Sequence, residues 1–217
     1  MKTRRHMLFA ALPPLAGALI SQTALAHHGM DGQVPNTLFS GLISGLAHPV
    51  IGLDHLAFLL AAAVAMASRP NAFRLPWYFI LPGLLAAAWH VAGFDLPVSE
   101  ILVAASLVIL GLMLVWRRVD QAMLFLPLLM LAGLLHGYAF GESIVGAEST
   151  PLLGYFAGLA LVQYGLCAGS ILLYRRLVRY WLPGRAEQKA GGQIGWGPAG
   201  WAVGAVGGIF LILAVIG

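Results

Sequence analysis

Two histidines and an aspartate interrupt one of the most apolar stretches of this 217-residue chain, in GLAHPVIGLDHLAF at residues 45–58. They are His48, Asp54 and His55. Imidazole nitrogen suits nickel, zinc, copper and iron, and a carboxylate can bind an ion or orient an imidazole. Because ionisable groups are costly among apolar residues, we interpret the three as candidate ligands of a divalent metal ion. The structural alternative is that His48 caps a helix while Asp54 and His55 pair.

Two further groups of imidazoles and carboxylates stand near the ends of apolar segments. The first, in WHVAGFDLPVSE, contains His90, Asp95 and Glu100. The second, in LLHGYAFGES, contains His136 and Glu142. We predict His90, His136 and Glu142 as further ligands and Glu100 as an accessory one. Asp95 also fits a carboxylate cap of the next helix.

The composition is that of a membrane protein. Charged residues make up only 9% of the chain, and the mean hydropathy is +0.87. A soluble domain carries about 25% charged residues. The net charge of +4 does not indicate nucleic-acid binding, since the basic residues form short clusters between apolar segments and no stripe. Cys167 is the single cysteine, which excludes an internal disulfide and a thiolate metal cluster.

The first 26 residues have the pattern of a secretory signal peptide. A basic start containing Lys2, Arg4 and Arg5 precedes an apolar stretch and the cleavage pattern Ala-Leu-Ala at 24–26. We predict cleavage after Ala26, with an uncleaved anchor as the alternative, and a single transmembrane helical domain over 27–217. The mature chain would then begin outside the inner membrane of a bacterium.

Three residues are weaker candidates for the metal path. His27 and His28 would begin the mature chain, where two imidazoles and a free amine can capture a metal or simply form a flexible polar end. Gln163 can supply an amide oxygen, although such a residue more often forms an interhelical hydrogen bond.

Hydropathy predicts an all-α membrane protein, a bundle of about six transmembrane helices. Each segment approaches the roughly 20 residues that cross a bilayer. The predicted spans are 50–68, 75–93, 97–116, 121–140, 151–174 and 198–217. The shorter piece 37–47 is predicted to be a half-helix, a re-entrant element or an interfacial helix. Pro49 lacks an N–H, so we expect the chain to break at Ala47-His48-Pro49, with His48 and His55 two turns apart on one face of the following helix.

The charges are distributed unequally between the two ends of these spans. With an external N-terminus and six crossings, the basic residues beyond the signal all fall in cytoplasmic loops, as the positive-inside rule requires. These residues are Arg69, Arg74, Arg117, Arg118, Arg175, Arg176, Arg179, Arg185 and Lys189. The imidazoles and most carboxylates fall outside or near external helix ends. The exceptions are Asp120 and Glu187.

The motifs resemble those of the HupE/UreJ family of bacterial nickel permeases. HPVIGLDH fits that family's H-x5-D-H pattern at His48, Asp54 and His55, and LLHGYAFGES resembles its later histidine-glycine motif. The resemblance extends from about residue 27 to 167. Many members have a histidine where this chain has Phe140, a glutamate where it has Ser143, and a histidine near Gln163. The resemblance implies uptake of nickel, or alternatively cobalt, for metalloenzyme maturation.

We therefore predict a multi-pass inner-membrane permease and not an enzyme. The divalent ion is its transported substrate, with no permanently bound cofactor, and its partners are that ion and the lipid bilayer. An intramembrane metal-dependent enzyme is one alternative, although the chain lacks H-E-x-x-H and G-x-S-x-G. A haem carrier using His90 and His136 and a non-transporting metal-binding accessory protein or sensor are others. The metal, the energy coupling and the oligomeric state, including a homo-oligomer, stay open.

Overall fold

The computed structural model describes residues 34–116, 122–181 and 197–216, and the regular structure in these ranges is entirely helical. The predicted signal segment, with His27 and His28, lies outside them. Seven helices follow in chain order: α1 Leu38–Ile51, α2 Leu53–Ala67, α3 Trp77–Val91, α4 Ser99–Val115, α5 Ala122–Glu142, α6 Ser149–Trp181 and α7 Gly197–Ile216.

Helices α2 to α7 each fall on one of the six predicted spans, and their lengths differ widely. In the described ranges two stretches are long and apolar enough to cross a membrane, Met123–Glu142 and Ser149–Tyr180. The bent pair α1–α2 makes a third if it is taken as one span. Trp77–Val91, Ser99–Val115 and Gly200–Ile216 are shorter apolar helices. The chain is thus a helical membrane protein, and six crossings stay a prediction.

The chain breaks at Gly52, where α1 and α2 meet at a bend of 77°. The predicted break at Ala47-His48-Pro49 is wrong, because α1 continues through Pro49 for two more residues. Gly52 has extended backbone angles and donates its N–H to the carbonyl of His48 at 3.1 Å. A β-carbon at Gly52 would lie 2.6 Å from the ring of His55, so this position requires glycine. His48 therefore lies inside α1 and does not cap a helix.

Proline costs α1 one hydrogen bond without ending it, because close packing against α6 holds the helix. A β-carbon at Gly45 would overlap the carbonyl oxygen of Tyr155, and one at Gly158 would overlap that of Leu42. Such backbone approach through small residues is the usual way in which membrane helices associate. Gly41 approaches the carbonyl of Pro151 in the same way, one turn before the contact of Gly45 with Tyr155 on both helices, so α1 is parallel to the first half of α6.

The same packing joins α3 to α5. A β-carbon at Gly133 would overlap the carbonyl oxygen of Phe79, and one at Gly137 would overlap that of Gly83. The later residue of α3 contacts the later residue of α5, so these two helices are parallel.

The packing of α4 on α7 runs in the opposite sense. Gly111 of α4 faces Gly204, whereas Val108, nearer the start of α4, faces Gly207 farther along α7. The two helices are therefore antiparallel. All three pair directions agree with helices that alternate in direction across a membrane.

One end of the described bundle is rich in arginine. Arg175 donates from Nε to the carbonyl of Ala67 at 2.8 Å and from Nη2 to that of Arg69 at 2.9 Å. The guanidinium of Arg69 lies 4.4 Å from the ring centroid of Phe125. Four basic residues of the predicted set lie outside the described ranges: Arg117, Arg118, Arg185 and Lys189.

Gly158 offers a test of this packing. Gly158→Ala should lower the free energy of unfolding by about 1–3 kcal/mol, because the methyl group would force α1 and α6 apart. Gly165→Ala on the same helix is the matched control, since nothing lies within 4 Å of its β-carbon position. It should leave stability unchanged or raise it by up to about 1 kcal/mol. Denaturation in mixed detergent micelles measures both, and equal stabilities would contradict the close packing.

Candidate functional site

Three histidines from three helices meet inside the bundle. His48 of α1, His55 of α2 and His136 of α5 are only 3%, 1% and 0% exposed. The ring centroids of His48 and His55 are 6.1 Å apart, and those of His55 and His136 are 4.9 Å apart. We call these three residues the histidine cluster. It combines the first motif of the sequence with the later histidine-glycine motif.

His55 and His136 belong to a buried chain of hydrogen bonds that ends on α4. Their Nδ1 atoms are 2.8 Å apart. Nε2 of His136 lies 3.0 Å from Oγ of Ser106, and that hydroxyl donates to the carbonyl of Val103 at 2.7 Å. The chain thus connects α2, α5 and α4.

His48 belongs to a second chain that ends on α5. Its Nδ1 lies 2.8 Å from Oγ of Ser143 and 3.1 Å from the hydroxyl of Tyr155. Ser143 contacts the Tyr155 hydroxyl at 3.0 Å, and Tyr155 donates to the carbonyl of Phe140 at 2.5 Å. Tyr155 is fully buried, so α6 reaches the histidine cluster through its hydroxyl.

The side chain of Phe140 fills the space among the three imidazoles. Its ring centroid lies 5.2 Å from that of His48, 4.4 Å from that of His55 and 6.4 Å from that of His136. The residue is fully buried. An apolar ring therefore occupies the centre of a group of nitrogen ligands.

Asp54 lies at the start of α2 with its side chain 20% exposed. Its Oδ1 accepts from the backbone N–H of His55 at 2.8 Å and lies 3.9 Å from Nε2 of the same residue. The carboxylate thus stays beside the His55 ring and within reach of solvent or headgroups.

Asp95 does not cap α4, contrary to the alternative drawn from the sequence. The N-cap of α4 is Val98, which makes no side-chain cap hydrogen bond. Asp95 instead accepts from the hydroxyl of Tyr138 at 2.6 Å, while that hydroxyl accepts from the N–H of Leu96 at 2.7 Å. A tertiary contact has replaced the local one.

His90 and Glu142 lie at the same end of the bundle as these residues. The ring of His90 packs edge-on against Tyr138 at 4.1 Å, and Oε1 of Glu142 lies 3.5 Å from the Ser99 hydroxyl. Neither of these two contacts reaches the histidine cluster. Glu100 stands in the first turn of α4. The roles of all three as ligands stay predictions.

Gln163 is 1% exposed, and its Oε1 has no hydrogen-bond partner in the described ranges. Along α6, Tyr155 packs against Gly45, and Cys167 lies beside the carbonyl of Leu59. Gln163 comes between these two contacts. It therefore lies on α6 at about the level of the break in α1–α2.

The described residues do not form a ready-made metal site. No group of three or more His, Cys, Asp or Glu side chains within the described ranges is arranged around a common point. Nitrogen atoms of these histidines are instead directed at hydrogen-bond partners on neighbouring helices. A separation of 2.8 Å between the Nδ1 atoms of His55 and His136 is a hydrogen bond.

Sequence reasoning did not identify Ser106, Ser143 and Tyr155 as parts of the site. Ser106 carried a signal, since it is an isolated hydroxyl inside the apolar part of α4. Ser143 and Tyr155 carried none, because hydroxyls near helix ends are common. Phe140 attracted notice as a departure from the family pattern, and its position among the imidazoles required the structure.

Comparison with known proteins agrees with the motifs. The family model of the HupE / UreJ protein matches residues 15–201, a range wider at both ends than the resemblance predicted. That family is a transporter or accessory family, associated with nickel or cobalt transport or with urease and hydrogenase maturation. No curated protein and no solved structure matches the chain. The chain belongs to the HupE/UreJ family.

Proposed function

We propose that the chain is a bacterial inner-membrane permease that takes up a divalent transition-metal cation, nickel first and cobalt as the alternative. The metal is cargo and is not a resident cofactor. The observation that carries the proposal is the burial of His48, His55 and His136 together at a helix break. Buried ionisable residues in membrane helices mark ion paths, and broken helices in transporters form ion sites.

The pair His48 and His55 is the proposed binding station. When each imidazole nitrogen lies about 2.1 Å from one ion, the two ring centroids stand about 5–6 Å apart. The observed 6.1 Å is close to that separation. Asp54 lies beside His55 and offers the negative charge that a divalent cation needs.

The approach to this station is lined with carboxylates. Asp54 is partly exposed, and Glu142 and Asp95 lie at the same end of the bundle as His90. Negative side chains at a low-dielectric entrance raise the local concentration of cations. We assign His90, Glu100 and Glu142 to this approach. His27 and His28 stay predicted accessory ligands at the outer entrance.

Gln163 provides the next polar group along the proposed path. Its buried amide oxygen belongs to a residue two turns after Tyr155 on α6, in the direction of Arg175. A neutral oxygen ligand holds a borderline metal ion more weakly than imidazole does, which suits a step towards release. The ion would leave at the arginine end, which the positive-inside rule assigns to the cytoplasm.

The sequence offers no nucleotide-binding loop to supply energy within this chain. Transport would therefore be passive, driven by the membrane potential, coupled to another ion, or dependent on a separate partner. One divalent charge moving inward gains about 4–5 kcal/mol per 100 mV of potential.

Uptake of nickel by cells that express the chain tests this function. We expect His48→Ala and Asp54→Ala each to lower the uptake rate by about tenfold or more, since each removes a proposed ligand. Cys167→Ala is the control, because it removes a buried thiol that lies beside the Leu59 carbonyl and is not one of the proposed ligands. Competition with cobalt and zinc identifies the preferred ion. Unchanged uptake in both ligand variants would refute the site, and binding without uptake by the wild type would favour the accessory alternative.

Phe140 allows a gain-of-ligand test. Phe140→His places a further imidazole among the three rings and should tighten equilibrium cobalt(II) binding by about tenfold. The same change should slow release and so lower the maximal uptake rate. Phe140→Leu keeps the centre apolar and should leave affinity within about threefold of wild type. Equal affinities in all three proteins would place the ion away from the histidine cluster.

A further inference from the structure

We propose that Ser106, Ser143 and Tyr155 are positioning residues that fix the tautomers of the histidine cluster. With the proton held on Nδ1 of His48 and of His55, the lone pair of Nε2 on each ring would be available to the cargo ion. The inference rests on the proposed function for the identity of that ion. The tautomers themselves are a property of the metal-free protein.

The first chain of hydrogen bonds, which runs through Ser106, starts from a backbone carbonyl. The oxygen of Val103 can only accept, so the Ser106 hydroxyl donates its single hydrogen to it at 2.7 Å. Oγ of Ser106 must then accept from Nε2–H of His136 at 3.0 Å. A neutral imidazole has one N–H, so Nδ1 of His136 is an acceptor. His55 therefore donates from Nδ1 at 2.8 Å, and its lone pair is on Nε2.

The second chain of hydrogen bonds, which runs through Tyr155 and Ser143, also starts from a backbone carbonyl that can only accept. The carbonyl of Phe140 accepts from the hydroxyl of Tyr155 at 2.5 Å. Ser143 donates its single hydrogen to the Tyr155 oxygen at 3.0 Å or to the same carbonyl at 3.3 Å, and either choice leaves Oγ of Ser143 to accept from Nδ1–H of His48 at 2.8 Å. The lone pair of His48 is therefore on Nε2 as well. The 3.1 Å contact between that Nδ1 and the Tyr155 hydroxyl has the same donor.

Two independent chains thus orient two imidazoles in the same chemical sense. Both end on carbonyls of helix backbone, in α4 and in α5, and a carbonyl oxygen can only accept, so each chain has the stated direction of donation. Hydrogen bonding to the second ring nitrogen is the usual way in which a protein orients a metal-binding histidine. His136 then acts as a positioning residue for His55 and is not itself a ligand.

The test is nitrogen NMR of the metal-free protein labelled with ¹⁵N-histidine in detergent micelles. Single His→Gln variants assign the resonances of the cluster. We expect His48 and His55 to be protonated at Nδ1 and His136 to be protonated at Nε2. Protonation of His48 or His55 at Nε2 in the wild type would overturn the assignment.

Variants of Ser106 separate positioning from simple packing. Ser106→Ala removes the acceptor of His136, so a second tautomer should appear at His136 and at His55. Ser106→Thr keeps the hydroxyl and should keep the wild-type pattern. Ser44→Ala is the control, because the side chain of Ser44 is as little exposed as that of Ser106, 3% in each case, and belongs to neither chain of hydrogen bonds. An unchanged pattern in Ser106→Ala, or a changed one in Ser44→Ala, would contradict the proposal.

Cobalt(II) titration, followed by visible absorption, links the tautomers to the cargo. Ser106→Ala and Tyr155→Phe should each weaken binding by about 10–100-fold, and Ser106→Thr should restore it. If Ser106→Ala does not fold, Tyr155→Phe tests the His48 chain alone. If the tautomers are as stated while the wild type takes up no metal ion, the transport proposal fails and the tautomer assignment stands. Different tautomers together with impaired uptake in His48→Ala would refute the tautomer assignment and leave the transport proposal in place.

Discussion

The 77° break at Gly52 is the constraint on which the arrangement of the polar side chains depends. His48 and His55 are seven residues apart, and in one straight helix they would be separated by about 10 Å along its axis. The break brings their ring centroids to 6.1 Å. The H-x5-D-H spacing therefore acts through a bent pair of helices and not through one helical face.

The bent pair holds its position because glycines let neighbouring helices approach at backbone distance. Gly45 and Gly158 bring α1 against α6, and Gly133 and Gly137 bring α5 against α3. Hydrophobic burial cannot drive this association within lipid, so close packing and interhelical hydrogen bonds must do so. Close packing in turn lets short hydroxyl side chains span the gaps between helices. The hydrogen bond between Tyr155 of α6 and His48 of α1 lies between two helices that approach in this way.

The helices and the charge asymmetry could be predicted because both are local signals: apolar length and the placement of arginines. The break was misplaced by a few residues, since the rule for proline describes an isolated helix and α1 is held by α6. Asp95 was misassigned for the same reason, because the contact with Tyr138 is tertiary. The partners of the histidines could not be predicted. Ser106 and Tyr155 are separated from them by 30 and 107 residues, and nothing in the sequence pairs them.

A site in which histidines already bond to neighbours is suited to passage more than to storage. Under the proposal above, an arriving ion meets two imidazoles whose Nδ1 atoms stay hydrogen-bonded, so it must shift rings that are held by interactions of about 0.5–1.5 kcal/mol net each. Conduction requires binding that is favourable enough for entry and weak enough for exit. Phe140 also limits the affinity for an ion, because its ring lies at the centre of the histidine cluster and supplies no ligand atom. If the chain transports a metal ion as proposed, moderate affinity follows from this arrangement, because binding to imidazole nitrogen must outweigh the cost of shifting hydrogen-bonded rings.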